Sequence, residues 1–176
     1  GKSFFAVFLS ALLSNPKEQI TQAAHKKLKE FDSNLAQEFK NLLKGKDGYL
    51  KILISGSVEP IEVKIYEALV NTIEENGFSQ ILEKELKTTE PTSSEVLKLL
   101  SKLQDHLAKD SQFSGIVMVI DELGKFVQFA GRNKNQGDLF LLQQLAENTA
   151  LAHQCSFNPI AMLHQSLDVY AKDLDE

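Results

Sequence analysis

Cysteine is nearly absent from the 176 residues: Cys155 stands alone, so no disulfide can form within the chain. That fits a reducing compartment, and a cytoplasmic location is expected. Long apolar runs are also missing. The most apolar segment, residues 3–14 (SFFAVFLSALLS), is shorter than the about 20 residues that a bilayer-spanning helix needs. With Lys2 ahead of it the segment has the look of a signal-peptide core. No initiator Met stands there, however, so residue 1 is read as an internal position and secretion is set aside. Arginine occurs once, at Arg132, and the net charge of −5 offers no general attraction for nucleic acid. There is no strongly basic domain charge and no base-reading set of aromatics. Repeats and low-complexity tracts do not occur. What is present, 43% hydrophobic and 24% charged residues, describes one globular domain long enough to bury a core.

Helical and strand-like stretches alternate along the chain. Phe4 to Leu13 reads as a buried helix closed by Ser14-Asn15-Pro16. A long helical segment, about 16–44, follows, with Ile20, Ala24, Leu28, Phe31, Leu35, Phe39 and Leu42 at helical spacing on one buried stripe. Gly45-Lys46-Asp47-Gly48 ends it. Tyr49 to Ser55 predicts a strand, and Pro60 to Asn76 a helix stopped by Gly77. A short helix is expected over Ser79–Leu86. Thr92 and Glu95 have the spacing of a capping box, starting a helix that runs to Lys109. Asp121 to Ala130 reads as a loop and short helix, 131–137 as an exposed loop, and Asp138 to Gln154 as a helix. A third strand is expected over Pro159–Leu163, followed by a last helical turn or two.

The segment Ile116-Val117-Met118-Val119-Ile120-Asp121-Glu122 carries most of the functional information. Five apolar residues without alternation describe a strand covered on both faces, as in a parallel sheet. Two acids at its carboxyl end are costly there unless a cation or polar reactant sits beside them. In a parallel sheet all the strand carboxyl ends share one edge, which would collect Gly56-Ser57, Asp121-Glu122 and His164-Gln165-Ser166. The chain also opens Gly1-Lys2-Ser3 directly before a helix, the closing residues of the phosphate-loop pattern.

These residue types suit a magnesium-bound triphosphate. Lys2 would meet the β- and γ-phosphates, and Ser3, at a helix start, would ligate magnesium. Asp121 would hold the metal, Glu122 would take the proton of the attacking water, and His164 or Gln165 would sense the γ-phosphate. Gly1-Lys2-Ser3 alone is a weak signal, and an Asp-Glu strand end can be a capped helix start. The ordered pair is more specific than either.

On these residues the chain resembles the additional-strand, catalytic-glutamate division of P-loop ATPases, in its AAA-type branch. Gly1-Lys2-Ser3 resembles the end of Walker A and Ile116 to Glu122 resembles Walker B. Pro159 to Gln165 falls where the sensor-1 strand belongs. The wording DELGKF, LLQQLAE and LHQS looks like a poorly characterised group of large bacterial ATPases, some linked to phage defence or DNA handling. The resemblance implies an α/β fold: a partial three-layer P-loop core, a parallel sheet with helices on both faces, and a central Walker A strand that would precede Gly1. It implies ATP and Mg2+ as ligands and hydrolysis that drives conformational change in a larger multidomain protein. Other domains of a parent chain are expected partners, with oligomerisation and nucleic-acid binding left open and no membrane. A piece of such a protein would bind nucleotide poorly by itself.

Alternatives are a slow nucleotide-operated switch and a non-catalytic helical interaction module. Arg132 could act as an arginine finger but reads better as a surface residue. His153 and Cys155 do not make a zinc site, and His25 and His106 sit in helical patterns. Lys125 reads as helix solvation and Glu59 as an acid in a helix's first turn. Lys26, Lys27, Lys29, Lys40, Lys44 and Lys46 crowd the first third, and with Glu30 and Glu38 near them read as a solvated helix face.

Overall fold

The run at Ile116–Ile120 forms the middle of a sheet. In the computed structural model, which describes residues 2–82, 88–109, 112–133, 137–149 and 155–165, three parallel strands lie in the order β1-β2-β3. These are β1 (Leu50–Ser55), β2 (Gly115–Asp121) and β3 (Ser156–Ala161). Register pairs Ser55 with Asp121 and Ile120 with Ala161, so the carboxyl ends of all three strands meet at one edge. No helix among the described residues is long and apolar enough to cross a membrane.

Helices cover both faces. Ile116, Met118 and Ile120 point into the main core, shared with α4 (Ile61–Glu75), α5 (Ser93–Lys109) and α7 (Phe140–Asn148). Val117 and Val119 point the other way, toward Leu9 and Leu13 at α1 (Lys2–Leu12) and Phe39 of α3 (Ser33–Leu42). This double burial explains why the strand shows no alternation. Each fully buried aliphatic side chain adds about 1.5–3 kcal/mol relative to exposure. Behind α1, Ala11 and Leu12 pack on Ala24 of α2 (Gln19–Phe31).

Several expectations hold. The start of α5 is capped as expected: Thr92 N–H donates to Glu95 Oε2 at 2.7 Å, and Glu95 N–H donates to Thr92 Oγ1 at 3.3 Å. The long segment 16–44, in contrast, is two helices. Asp32 leaves helical geometry (φ −148, ψ 104), and its carboxylate accepts from the N–H groups of Asn34 and Leu35. An Asx side chain that satisfies free amides starts a new helix, and that local bond overrides the continuous apolar spacing. The stripe is accordingly not buried throughout: Phe31 is 83% exposed, and Ile20, Leu35 and Leu42 are exposed too. Helix α1 is likewise not a buried helix. Phe4 (69% exposed), Phe5 and Val7 face outward, because nothing among the described residues covers that side.

The third strand begins at Ser156 rather than Pro159. Pro159 pairs with Met118 inside the strand, which is tolerated because β3 lies at the sheet edge among the described residues, where a missing N–H need not break a ladder. The short helix at Ser79 is a single 3-10 turn, Ser79–Ile81, and residues 83–87 lie outside the described part. The last helical turns, His153, and the end of the helix expected to reach Gln154 also fall outside it.

Candidate functional site

The segment after β2 is tighter than the loop expected there. Helix α6 (Leu123–Arg132) starts two residues after Asp121, so Glu122 alone reverses the chain from strand into helix. It does so in the left-handed region, φ 55 and ψ 41, and among the described residues no other non-glycine has positive φ. That conformation costs a side-chain-bearing residue about 1–2 kcal/mol and persists only where the surroundings fix it. Here they do. Glu122 N–H donates to Asp121 Oδ1 at 2.9 Å, and Leu123 N–H donates to the Met162 carbonyl at 3.0 Å. Met162 N–H in turn donates to the Ile120 carbonyl at 2.9 Å, tying the exit of β3 to the end of β2.

The other flank is equally close. Gly56 N–H donates to the Asp121 carbonyl at 2.8 Å, and a Cβ on Gly56 would run into the Glu122 backbone. Only glycine allows the end of β1 to press against this turn. The next residue, Ser57, has a buried hydroxyl without a hydrogen-bond partner. The Gly56-Ser57, Asp121-Glu122 and His164 segments therefore come together at the carboxyl edge.

Glu122 is the electrostatic centre of this group. Lys125, one helical turn on, donates to its Oε2 at 2.6 Å, and His164 Nε2 lies 3.4 Å from its Oε1. The Lys125 hydrogen bond and charge, with a smaller effect from His164, hold the Glu122 carboxyl below the usual range, against the partial desolvation that raises it. Lys125, read from the sequence as a helix-solvating residue, is thus the main partner of the acid. The i,i+3 spacing from Glu122 could have disclosed it, had the helix been placed as starting at Leu123. Gln165 is exposed beside His164, and Arg132 is exposed at the last residue of α6. Glu59 pairs with Lys64 at 3.1 Å, the ordinary use of an acid near a helix start. Cys155 is buried, and burial pushes its thiol pKa up, which leaves it unreactive.

Gly1 lies outside the described residues. The backbones of Lys2 and Ser3 form the first turn of α1, and their side chains lie outside the described part. The other end of that helix is anchored. The Leu13 carbonyl accepts from Tyr49 N–H at 2.8 Å, and Lys51 Nζ donates to Ser14 Oγ at 2.6 Å. Both contacts lie at the amino end of β1. From there Leu9 and Ala6 pack against Val117, Val119 and Met162.

Among the described residues no group of three or more His, Cys, Asp or Glu is placed to hold a metal ion. A magnesium ion that accompanies a polyphosphate does not require one. It takes one or two carboxylates, keeps several waters and completes its shell with phosphate oxygens. Asp121, at a strand end, offers one carboxylate for that donor set. No protein-family model matches the chain, and no curated protein or solved structure matches it either.

Proposed function

We propose that the carboxyl edge of this sheet is one wall of a P-loop-type nucleoside-triphosphate site, and that the protein hydrolyses ATP to drive conformational change. The observation that carries the reading is Glu122: an acid at the end of a doubly buried parallel strand, held in a strained backbone conformation, beside His164 of the neighbouring strand end. Strained residues with paired acids gather at functional sites more than at structural ones.

Helix α1 supports the reading independently. It is about 16 Å long, about the length of β1, and its carboxyl end is fixed at the amino end of that strand. Packed along the sheet, it carries its first turn toward the carboxyl edge. In a phosphate loop, Lys2, Ser3 and the free amides of that turn would face the phosphates. Lys2 neutralises phosphate charge, and Asp121 with Ser3 would hold Mg2+, which supplies charge neutralisation and orientation of the phosphates. Glu122 accepts a proton from water as the water oxygen bonds to the γ-phosphorus. The bond from γ-phosphorus to the bridging oxygen breaks, releasing ADP and phosphate. His164 or Gln165 reports the state of the γ-phosphate to β3.

One observation favours a slower variant of the same reading, a nucleotide-operated switch. A carboxylate tied to Lys125 at 2.6 Å is a weaker base than a free one, so turnover is restrained until that contact opens. Steady-state hydrolysis and ATP retention test both. Glu122→Gln should lower turnover about 10²–10⁴-fold while ATP stays bound. Lys125→Met should raise turnover if the restrained form is the resting one. Unchanged hydrolysis in Glu122→Gln would remove the proposal and favour an interaction module.

A further inference from the structure

At the edge opposite Asp121 and Glu122 the chain forms a cleft of about 800 Å3. Its position follows from two bonds: Asp47 N–H donates to the Gln112 carbonyl and Ser114 N–H to the Gly48 carbonyl, both just ahead of the strands. One wall is a single face of α2, where Gln22, His25, Lys26 and Lys29 recur at helical spacing. The other is the carboxyl end of α3 and the turn after it. Six lysines line the space: Lys17, Lys26, Lys29, Lys40, Lys44 and Lys46.

Charge makes this cleft unusual for the molecule. The chain as a whole is acidic, at −5, yet among the described residues the only carboxylate lining the cleft is Asp47, which already accepts from Asn15 Nδ2 at 3.0 Å. Lys64 lies between Glu59 and Glu67, and Lys27, on α2 but outside the cleft, pairs with Glu30. Among the described residues Lys17, Lys26, Lys29, Lys40 and Lys44 have no carboxylate partner. Ammonium groups gathered around a concavity repel one another and focus a positive field into it.

The wall also contains an unsatisfied polar atom. His25 is only 7% exposed; its Nε2 donates to the Leu12 carbonyl at 3.1 Å, and its Nδ1 has no partner. Burial pushes its pKa down, opposed by the Leu12 bond and reinforced by Lys40. Among the described residues no arginine and no Phe or Tyr lines the cleft, so these supply no platform on which bases stack. Its size is that of a small-molecule site.

We propose that this cleft binds a compact small molecule carrying two or more phosphate groups, held by its lysine ammonium groups. The inference stands apart from the nucleotide site at the other edge. Calorimetric titration of the 176-residue chain with inorganic triphosphate in excess chelator tests it. Saturable single-site binding is expected, weakened about tenfold or more in Lys26→Gln/Lys44→Gln, since each lost charged contact removes a sizeable share of the affinity. Affinity should be unchanged in Lys98→Gln, an exposed lysine of α5 outside the cleft lining. A second pair, Lys29→Gln/Lys40→Gln, gives the same reading if the first lowers the unfolding midpoint. Absence of saturable binding would overturn the proposal, as would full affinity in both lysine pairs or an equal loss in Lys98→Gln. Equal affinity for inorganic monophosphate would also overturn it. So would tighter binding of a single-stranded oligonucleotide with the same lysine dependence, which would make the cleft a nucleic-acid track.

Discussion

Lys125 occupies one oxygen of Glu122 and His164 faces the other, so the charge state of this one carboxyl is set by its neighbours. Because its native pKa is lowered, the ionised form is favoured in the folded chain. The contribution of the pair to stability is present above the ordinary glutamate range, near 4.3, and fades as pH falls through the lower native value. Carboxyl NMR titration should therefore find Glu122 below that range in the wild type and moved up toward it in Lys125→Met. An unmoved titration would mean that the lysine contact does not persist in solution. At this scale the sequence revealed the two acids but not their geometry. A strand running into Asp-Glu is visible as a pattern. A left-handed backbone at Glu122 is not, because it depends on Met162 and Gly56 arriving from distant parts of the chain.

The elements were legible where the signal was local. Thr92 and Glu95 are three residues apart and bond as their spacing implies. The break between α2 and α3 was also written locally, in Asp32-Ser33-Asn34, but apolar spacing that continued past it concealed it. Asp32→Ala should remove the two bonds to Asn34 and Leu35 and cost about 1 kcal/mol in urea unfolding, whereas Asp32→Asn should cost little. Equal stability of the alanine variant would show that packing alone holds the bend. Strand β3 was displaced for the opposite reason: Pro159 was read as a strand start, and only its place at the sheet edge shows that it can sit inside the ladder.

At the scale of the whole molecule, the parallel sheet was legible because the run through β2 leaves no solvent-facing position. The two faces of that run, one toward α4 and α5 and the other toward α1, follow from it. The amino-edge cleft was not legible. Its lysines appear in sequence as a solvated helix face and, Lys46 aside, are exposed in the structure, and only the fold of α2 against α3 brings them around one space. The molecule thus has two polar edges of opposite character. The acidic edge would take metal-bound nucleotide and the basic edge free polyphosphate.

The most direct test of the central claim is paramagnetic relaxation from Mn2+·ATP, with manganese standing in for magnesium, read at backbone amides by NMR. Weak binding suffices for this measurement. The account predicts that broadening spreads from Ser3, Gly56, Asp121 and Glu122 together. Sharp signals at those amides under saturating Mn2+·ATP, with broadening only near Lys44 and Asp47 or nowhere, would contradict it.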